Sequence, residues 1–435
     1  MTQILVQGVR LIDPISRVDL ASCDLLLEDG VLLQIGDGLE PREGAIQLHR
    51  EGSVVSPSFV DLHCHLREPG QPWKERVARA TAAAAAGGFG AVCGMANLVP
   101  PVDTLERLRE CQRDNKTWAR IPVLQFAACS EGLEGAALTN FETLADSGAA
   151  GFSDDGRNRL GQEDLSKALQ SAAALDRVVA IHPEDETILA QANRGNQDPF
   201  LWRVRPPEAE ISAIERGIAA LRAAPGSRLH LQHVSTEAGA ELVRQAKASG
   251  LGLTAEVTPH HLMLTAPDNG IETETTGRCN PPLRTESDRM ALWEALLDGT
   301  IDAIASDHAP HEAAPIFERQ AGFSGVQLAL SAVLGQGGVM FHLARVLEAL
   351  TAGPRRVLGE AGAIAPGDGI RAGEPASLTW FDPNQSWTPS PQSWLSLGAN
   401  TPFWGHPLRG TVLATFARGR MVHLNRELVP ELAQD

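Results

Sequence analysis

Eight short apolar runs, separated by stretches rich in Ala, Leu, Arg and Glu, constrain the fold of this chain more than any other feature. They occupy residues 59–65, 90–97, 121–128, 149–154, 178–182, 228–233, 251–258 and 301–307. Strand-length apolar runs that alternate with helical stretches predict parallel strands covered by helices, and eight of them predict a (β/α)8 TIM-type barrel. The texture differs at both chain ends. Residues 1–56 read as short strands broken by Gly/Asp turns. Strand texture returns in PASLTWFD and GTVLATFARGRMVHL, with 383–391 read as irregular surface chain. The expected organisation is a barrel domain over 57–360 beside a small β-sandwich domain built from 1–56 and 361–435.

Composition narrows the function. The 435 residues carry a formal net charge of −17, which repels phosphate backbones and anionic membrane surfaces. There is no tyrosine, and the lysines are Lys74, Lys116, Lys167 and Lys247, so lysine chemistry has few candidates. The six cysteines are scattered without a CxxC pair, which predicts free thiols in a reducing cytoplasm rather than a disulfide framework or a zinc ribbon. The N-terminus lacks the basic flank and apolar stretch of a signal peptide. Residues 80–102 are uncharged over a length that raises the question of a membrane span. Their Ala/Gly content and the Gly87-Gly88 pair predict a helix end followed by a buried strand.

In a barrel of this kind, chemistry sits at the C-terminal ends of the strands. The first run ends in DLHCHLREPG. Strand alternation there puts His63, His65 and Arg67 on one face and Cys64 on the other. The fourth ends in GFSDDGR (Asp154, Asp155), the fifth in IHPED (His182), the sixth in HLQHVST (His230, His233) and the eighth in IASDHAPH (Asp307, His308, His311). Imidazoles and carboxylates without thiolate suit Zn²⁺ or a similar divalent ion. The set exceeds one tetrahedral site and fits two ions about 3.5–4 Å apart, sharing a bridging carboxylate and hydroxide. A carboxylate beside the nucleophile can then shuttle a proton to a leaving nitrogen, the chemistry of amide hydrolysis or its reversal.

These motifs resemble the amidohydrolase superfamily and, within it, class I dihydroorotases. DLHCHLREPG resembles the first signature of that family and IASDHAPH the second; GFSDDGR, HxED, HVST, TAEVTPHHL and NPPLR match in order, across essentially the whole chain. The resemblance implies that His63, His65 and Asp307 hold one zinc, that His182 and His233 hold a second, and that Asp155 bridges them where many relatives use a carboxylated lysine. Lys167, the lysine nearest that position, falls inside the following helical stretch, in keeping with an aspartate bridge. Asp154 is read as a turn or capping residue. The implied reaction is reversible cyclisation of N-carbamoyl-L-aspartate to (S)-dihydroorotate with loss of water, the third step of de novo pyrimidine biosynthesis. In it Asp307 is the acid/base and a zinc-bridging hydroxide the nucleophile. His65, Arg67, Asn97, Asn280 and His311, with backbone groups at Ala321 and Gly322, are the implied substrate contacts. Arg67 would grip the substrate carboxylate.

The chain departs from the family at Ala96 and Leu98 around Asn97, at Pro183 after His182, in the loop EAAPIFERQAGFSG, and at Gln327 where glutamate is common. That loop, over 312–324, is the segment that would close over substrate. Hydantoinase-like sites use a tyrosine and a lysine bridge, both missing here. Allantoinase-like first motifs lack the equivalent of Arg67. Non-catalytic dihydroorotase-like scaffolds, which assemble with aspartate carbamoyltransferase, typically lose the HxH pair that is intact here. The expected partners are the small-molecule substrate, further copies of the chain in a homo-oligomer, and an aspartate carbamoyltransferase complex as a further option.

Overall fold

The computed structural model describes residues 2–194, 205–266, 278–312 and 320–433. Parallel strands at Phe59–Cys64, Phe89–Gly94 and Val123–Gln125 form one arc. Strands at Gly151–Ser153, Val178–Ile181, Leu229–Leu231, Leu253–Val257 and Ala303–Ile304 form a second. Bridges between Ala127 and Phe152 and between Cys64 and His308 join the arcs into a closed barrel. The second closure is reinforced by buried Asp61, whose carboxylate accepts hydrogen bonds from the Ser306 amide (2.8 Å) and hydroxyl (2.5 Å). Closure removes the exposed edges that an open sheet would carry.

Alternate strand positions pack in opposite directions. Val60, Leu62, Ala91, Cys93, Val178, Ala180, Ala303 and Ala305 form one cluster, whereas Phe59, Val92, Val179 and Ile304 join the core under the helices. The helices begin where the sequence supplies caps. Thr104 caps Leu105–Trp118, Thr236 caps Glu237–Ala248, and Thr285 with Asp288 forms a capping box at Glu286–Leu297. The uncharged 80–102 stretch contains the end of helix Val77–Ala86, the glycine pair and strand Phe89–Gly94. At Gly88 the backbone φ is +93°, and a Cβ there would sit 2.6 Å from the Phe59 ring, so glycine is required. Among the described residues no single helix is long and apolar enough to cross a membrane.

Both chain ends enter one mixed sheet. In spatial order it runs Arg420–Leu424, Leu408–Ala417, Leu378–Trp387, Val54–Pro57, Gln3–Asp13, Val18–Glu28 and Val31–Gly36, with Ile46–His49 also paired to Gln3–Asp13. The sheet folds over its own core, in which Leu32 from one edge and Phe416 from near the other belong to the same cluster as Val9, Leu25 and Trp380. The result is the small β-sandwich beside the barrel. The expectation of irregular chain over 383–391 is corrected here. Strand Leu378–Trp387 continues through Pro383 because its register with Leu408–Ala417 breaks between Asp382 and Ser386. A bulge of that kind accommodates a residue that cannot donate to the ladder.

Candidate active site

A cavity of about 320 Å³ opens at the C-terminal ends of the barrel strands. His65, Arg67, Asn97, Asp155, His182, His233, Asn280, Asp307, His311, Ala321 and Gly322 line it, together with Gly156, Ala309 and Gln320. His63 lies beneath this layer, fully buried. A larger cleft of about 600 Å³ between barrel and sandwich contains none of these residues.

The first motif reaches the cavity by a different route from simple strand alternation. The strand ends at Cys64, and its register with the neighbouring strand shifts between Asp61 and Cys64. Cys64 turns into the outer core, as alternation predicts. Arg67 instead lies beyond the strand at φ +62°, and a turn carries it into the cavity. His233 (φ +31°) and Asp307 (φ +42°) are left-handed as well. Such backbone costs on the order of 1–3 kcal/mol per residue and persists where the surroundings over-determine it, commonly at functional sites.

Asp155 sits among four histidines. Its Oδ1 is 3.3 Å from His63 Nε2, 3.6 Å from His182 Nδ1 and 3.9 Å from His233 Nε2, and its Oδ2 is 3.4 Å from His65 Nε2. Asp307 Oδ1 lies 3.2 Å from His65 Nε2 and 3.5 Å from His63 Nε2. His63–His65–Asp307 and His63–Asp155–His233 are each close enough to share an ion. His63 Nε2 and Asp155 Oδ1 are buried without a hydrogen-bond partner. Buried polar atoms are seldom left so, and here both face the cluster. The donor set and these two atoms therefore fit divalent ions. Lys167 is exposed and paired with Glu163 and Asp164, so it takes no part. Asp154 turns away and accepts from the Cys129 and Ser130 amides and the Ser130 hydroxyl.

The electrostatics follow from the packing. Burial alone would raise the Asp307 and Asp155 carboxyls, but the surrounding imidazoles outweigh it and hold both below the usual range. Burial opposes protonation of His182, yet Asp155 and Glu184 overcome it and raise the imidazole to about 9. His233 is depressed to about 3, by burial and then by the neighbouring His182. His311 is likewise depressed to about 3 by burial, Arg67 and Lys74, so it is neutral at physiological pH.

Two supporting residues, Glu256 and Glu184, escaped the sequence reading, and Asn97, read there as a substrate contact, supports His65 as well. Glu256 Oε1 lies 2.8 Å from His63 Nδ1, and Glu184 Oε2 lies 2.8 Å from His182 Nε2. Asn97 Oδ1 lies 2.9 Å from His65 Nδ1, and its Nδ2 donates to Asp155. Each contact directs the opposite ring nitrogen at the cluster. Both glutamates stand inside quoted motifs, TAEVTPHHL and IHPED, so their signal was a buried acid at a strand end. Gln327 is turned from the cavity, bonded to Ser393 and Leu395. Residues 313–319 of the 312–324 loop lie outside the described residues. Glu256→Gln is expected to weaken divalent-ion affinity about 10–100-fold, measured by competition with a chelator. Unaltered affinity would remove Glu256 from this supporting role.

Comparison with known proteins identifies the family. A family model described as "Dihydro-orotase-like" matches residues 52–239. The dihydroorotase of Syntrophus aciditrophicus is 36% identical over 440 residues, covering 97% of this chain and 99% of its own. That of Thermus aquaticus is 38% identical over 435 residues, with 97% and 99% covered. Among solved structures, the L-hydantoinase (dihydropyrimidinase) of Arthrobacter aurescens superposes with a TM-score of 0.84 at 25% identity, covering 98% of this chain and 96% of that one. A D-hydantoinase at 22% identity and a TM-score of 0.81 shares the fold. Identity of this level along nearly the full length places the chain in the dihydroorotase family of the metal-dependent amidohydrolase superfamily.

Proposed function

We propose that this protein is a zinc-dependent dihydroorotase, interconverting N-carbamoyl-L-aspartate and (S)-dihydroorotate in pyrimidine biosynthesis. The observation that carries this reading is Arg67. Its guanidinium is buried against the cavity, and among the described residues no carboxylate lies within ion-pair distance of it. Its hydrogen-bond contacts are the Pro310 carbonyl (3.3 Å) and His311 Nε2 (3.3 Å). A buried cation without a partner is costly, and a substrate carboxylate supplies the partner. Dihydroorotate carries that carboxylate, whereas hydantoin and dihydrouracil do not. The lack of tyrosine argues further against a hydantoinase.

In this reading His63, His65 and Asp307 would hold one Zn²⁺, His182 and His233 a second, and Asp155 would serve both. Bound there, the ions would acidify a water and polarise the ring carbonyl. The remaining work falls to the chain. Arg67 and His311 fix the substrate carboxylate, with Asn97 at the same wall. Asn280 and the backbone at Ala321 and Gly322 orient the ring. Asp307 takes the proton of the attacking water and delivers it to the ring nitrogen as the carbon–nitrogen bond breaks. In the cyclising direction it runs the same transfer backwards. All six ligand positions are occupied by ligating residues, which supports an enzyme over a scaffold. The six cysteines are free and buried, which supports a reducing, cytoplasmic setting. A homo-oligomer and docking to aspartate carbamoyltransferase belong to the same proposal, and the sedimentation of the protein alone and mixed with that enzyme tests them.

The primary experiment is dihydroorotate hydrolysis by zinc-replete protein against a chelated control. Turnover is expected only with metal. Bound zinc without turnover would overturn the assignment.

A further inference from the structure

The segment before the last strands of the sandwich reaches back to the barrel mouth, and one side chain there has all its hydrogen-bonding capacity committed. Asn400 Oδ1 accepts from the His311 amide (2.9 Å) and from the Ser324 hydroxyl (2.8 Å). Its Nδ2 donates to the carbonyls of Ala309 (3.0 Å) and Gly322 (2.6 Å). A primary amide offers two acceptor and two donor positions, and all four are used. The Asn400 carbonyl additionally accepts from the Ser324 amide at 3.0 Å. Two stretches of the cavity wall, 309–311 and 322–324, are thus fastened to one group. Between them run the Ala309 amide to Phe323 carbonyl bond (2.8 Å) and the contact of His311 Nε2 with the Ala321 carbonyl (3.0 Å).

Asn400 is itself held in place. The Trp394 indole donates to the Gly398 carbonyl and the Trp404 indole to the Ala399 carbonyl. Gly398 lies so close to the strand-eight loop that a Cβ would stand 2.5 Å from Pro310 Cβ. The backbone approach that delivers Asn400 therefore depends on a residue without a side chain.

We infer that Asn400 is a positioning residue for substrate binding, setting the spacing between His311 and the Ala321–Gly322 backbone. This rests on the dihydroorotase reading for its substrate, while the clamp itself does not. No other residue type meets the requirement. Aspartate has the same shape but would set a carboxylate against two carbonyl oxygens, and glutamine is longer by one methylene.

The test is Asn400→Asp beside Asn400→Ala and a control, Trp118→Phe, at an exposed residue that ends helix Leu105–Trp118 and takes no part in the clamp. In Asn400→Asp the KM for dihydroorotate is expected to rise about tenfold or more, with kcat within about threefold and zinc content unchanged. Hydrogen exchange should quicken in peptides covering 306–312 and 320–326. Trp118→Phe should leave KM near the parent value. A parent-like KM in Asn400→Asp overturns the inference, as does an equal fall of kcat with unchanged KM. If the parent protein fails to turn over dihydroorotate, the functional reading falls. Exchange then still judges the clamp, and unchanged exchange at 306–312 would refute it. Should Asn400→Ala fail to fold, the isosteric Asn400→Asp decides.

Discussion

Asp307→Asn is expected to lower kcat for dihydroorotate by about 10³–10⁴-fold, within the range seen when a positioned acid/base is removed. The KM should change by less than about threefold, because the substitution leaves Arg67 and His311 in place. The reasoning is geometric. The cavity contains two of the cluster's carboxylates, and Asp155 is committed on both oxygens, its Oδ1 and Oδ2 facing four imidazoles. Asp307 lines the cavity and uses Oδ1 toward His65 and His63, while its Oδ2 makes no hydrogen bond among the described residues. The imidazoles hold the carboxyl below its ordinary range, so it is an anion at neutral pH and can accept a proton. Asparagine preserves shape and one ligating oxygen and removes proton acceptance. A variant retaining kcat within tenfold, with zinc bound, would take the acid/base role away from Asp307.

The barrel and the candidate ligand set were legible in the sequence because both are local. Each strand is a short apolar run, and each candidate ligand stands at or just past the end of one. What remained hidden depends on chain separated in sequence. Asn400 reaches His311 across 89 residues, from a segment that carries no motif in the sequence. Pro383 argued against a strand, and only the register break of the sandwich makes room for it. Arg67 was placed correctly for the wrong reason. Alternation predicts a shared face with His63 and His65, whereas a left-handed turn delivers it. Glu184 and Glu256 stand inside quoted motifs, but their function depends on which ring nitrogen they meet, and a pattern of residue types does not encode that.

Replacing Arg67 should separate recognition of the substrate carboxylate from chemistry at the ring. Arg67→Met is expected to reduce kcat/KM for dihydroorotate by about 10²–10³-fold, since truncating one member of a buried charge pair costs about 2–5 kcal/mol. Hydrolysis of 5,6-dihydrouracil, the same ring without the carboxylate, should be unchanged or slightly faster, because that substrate leaves the guanidinium unpaired. Arg67→Lys retains the charge but loses the planar fork, so an intermediate loss, chiefly in KM, is expected. Burial lowers the Arg67 guanidinium to about 10, which still leaves it cationic at neutral pH, and a lysine ammonium in the same desolvated place gives up its proton more readily. Zinc content should match the parent in both variants, as Arg67 approaches His311 and the Pro310 carbonyl rather than the ligand cluster. Equal losses on dihydroorotate and dihydrouracil would mean that Arg67 supports the site as a whole. Loss of zinc would mean that it supports the metal centre. Either result would leave the substrate carboxylate without its counter-ion and would reopen the choice between dihydroorotate and a neutral cyclic amide.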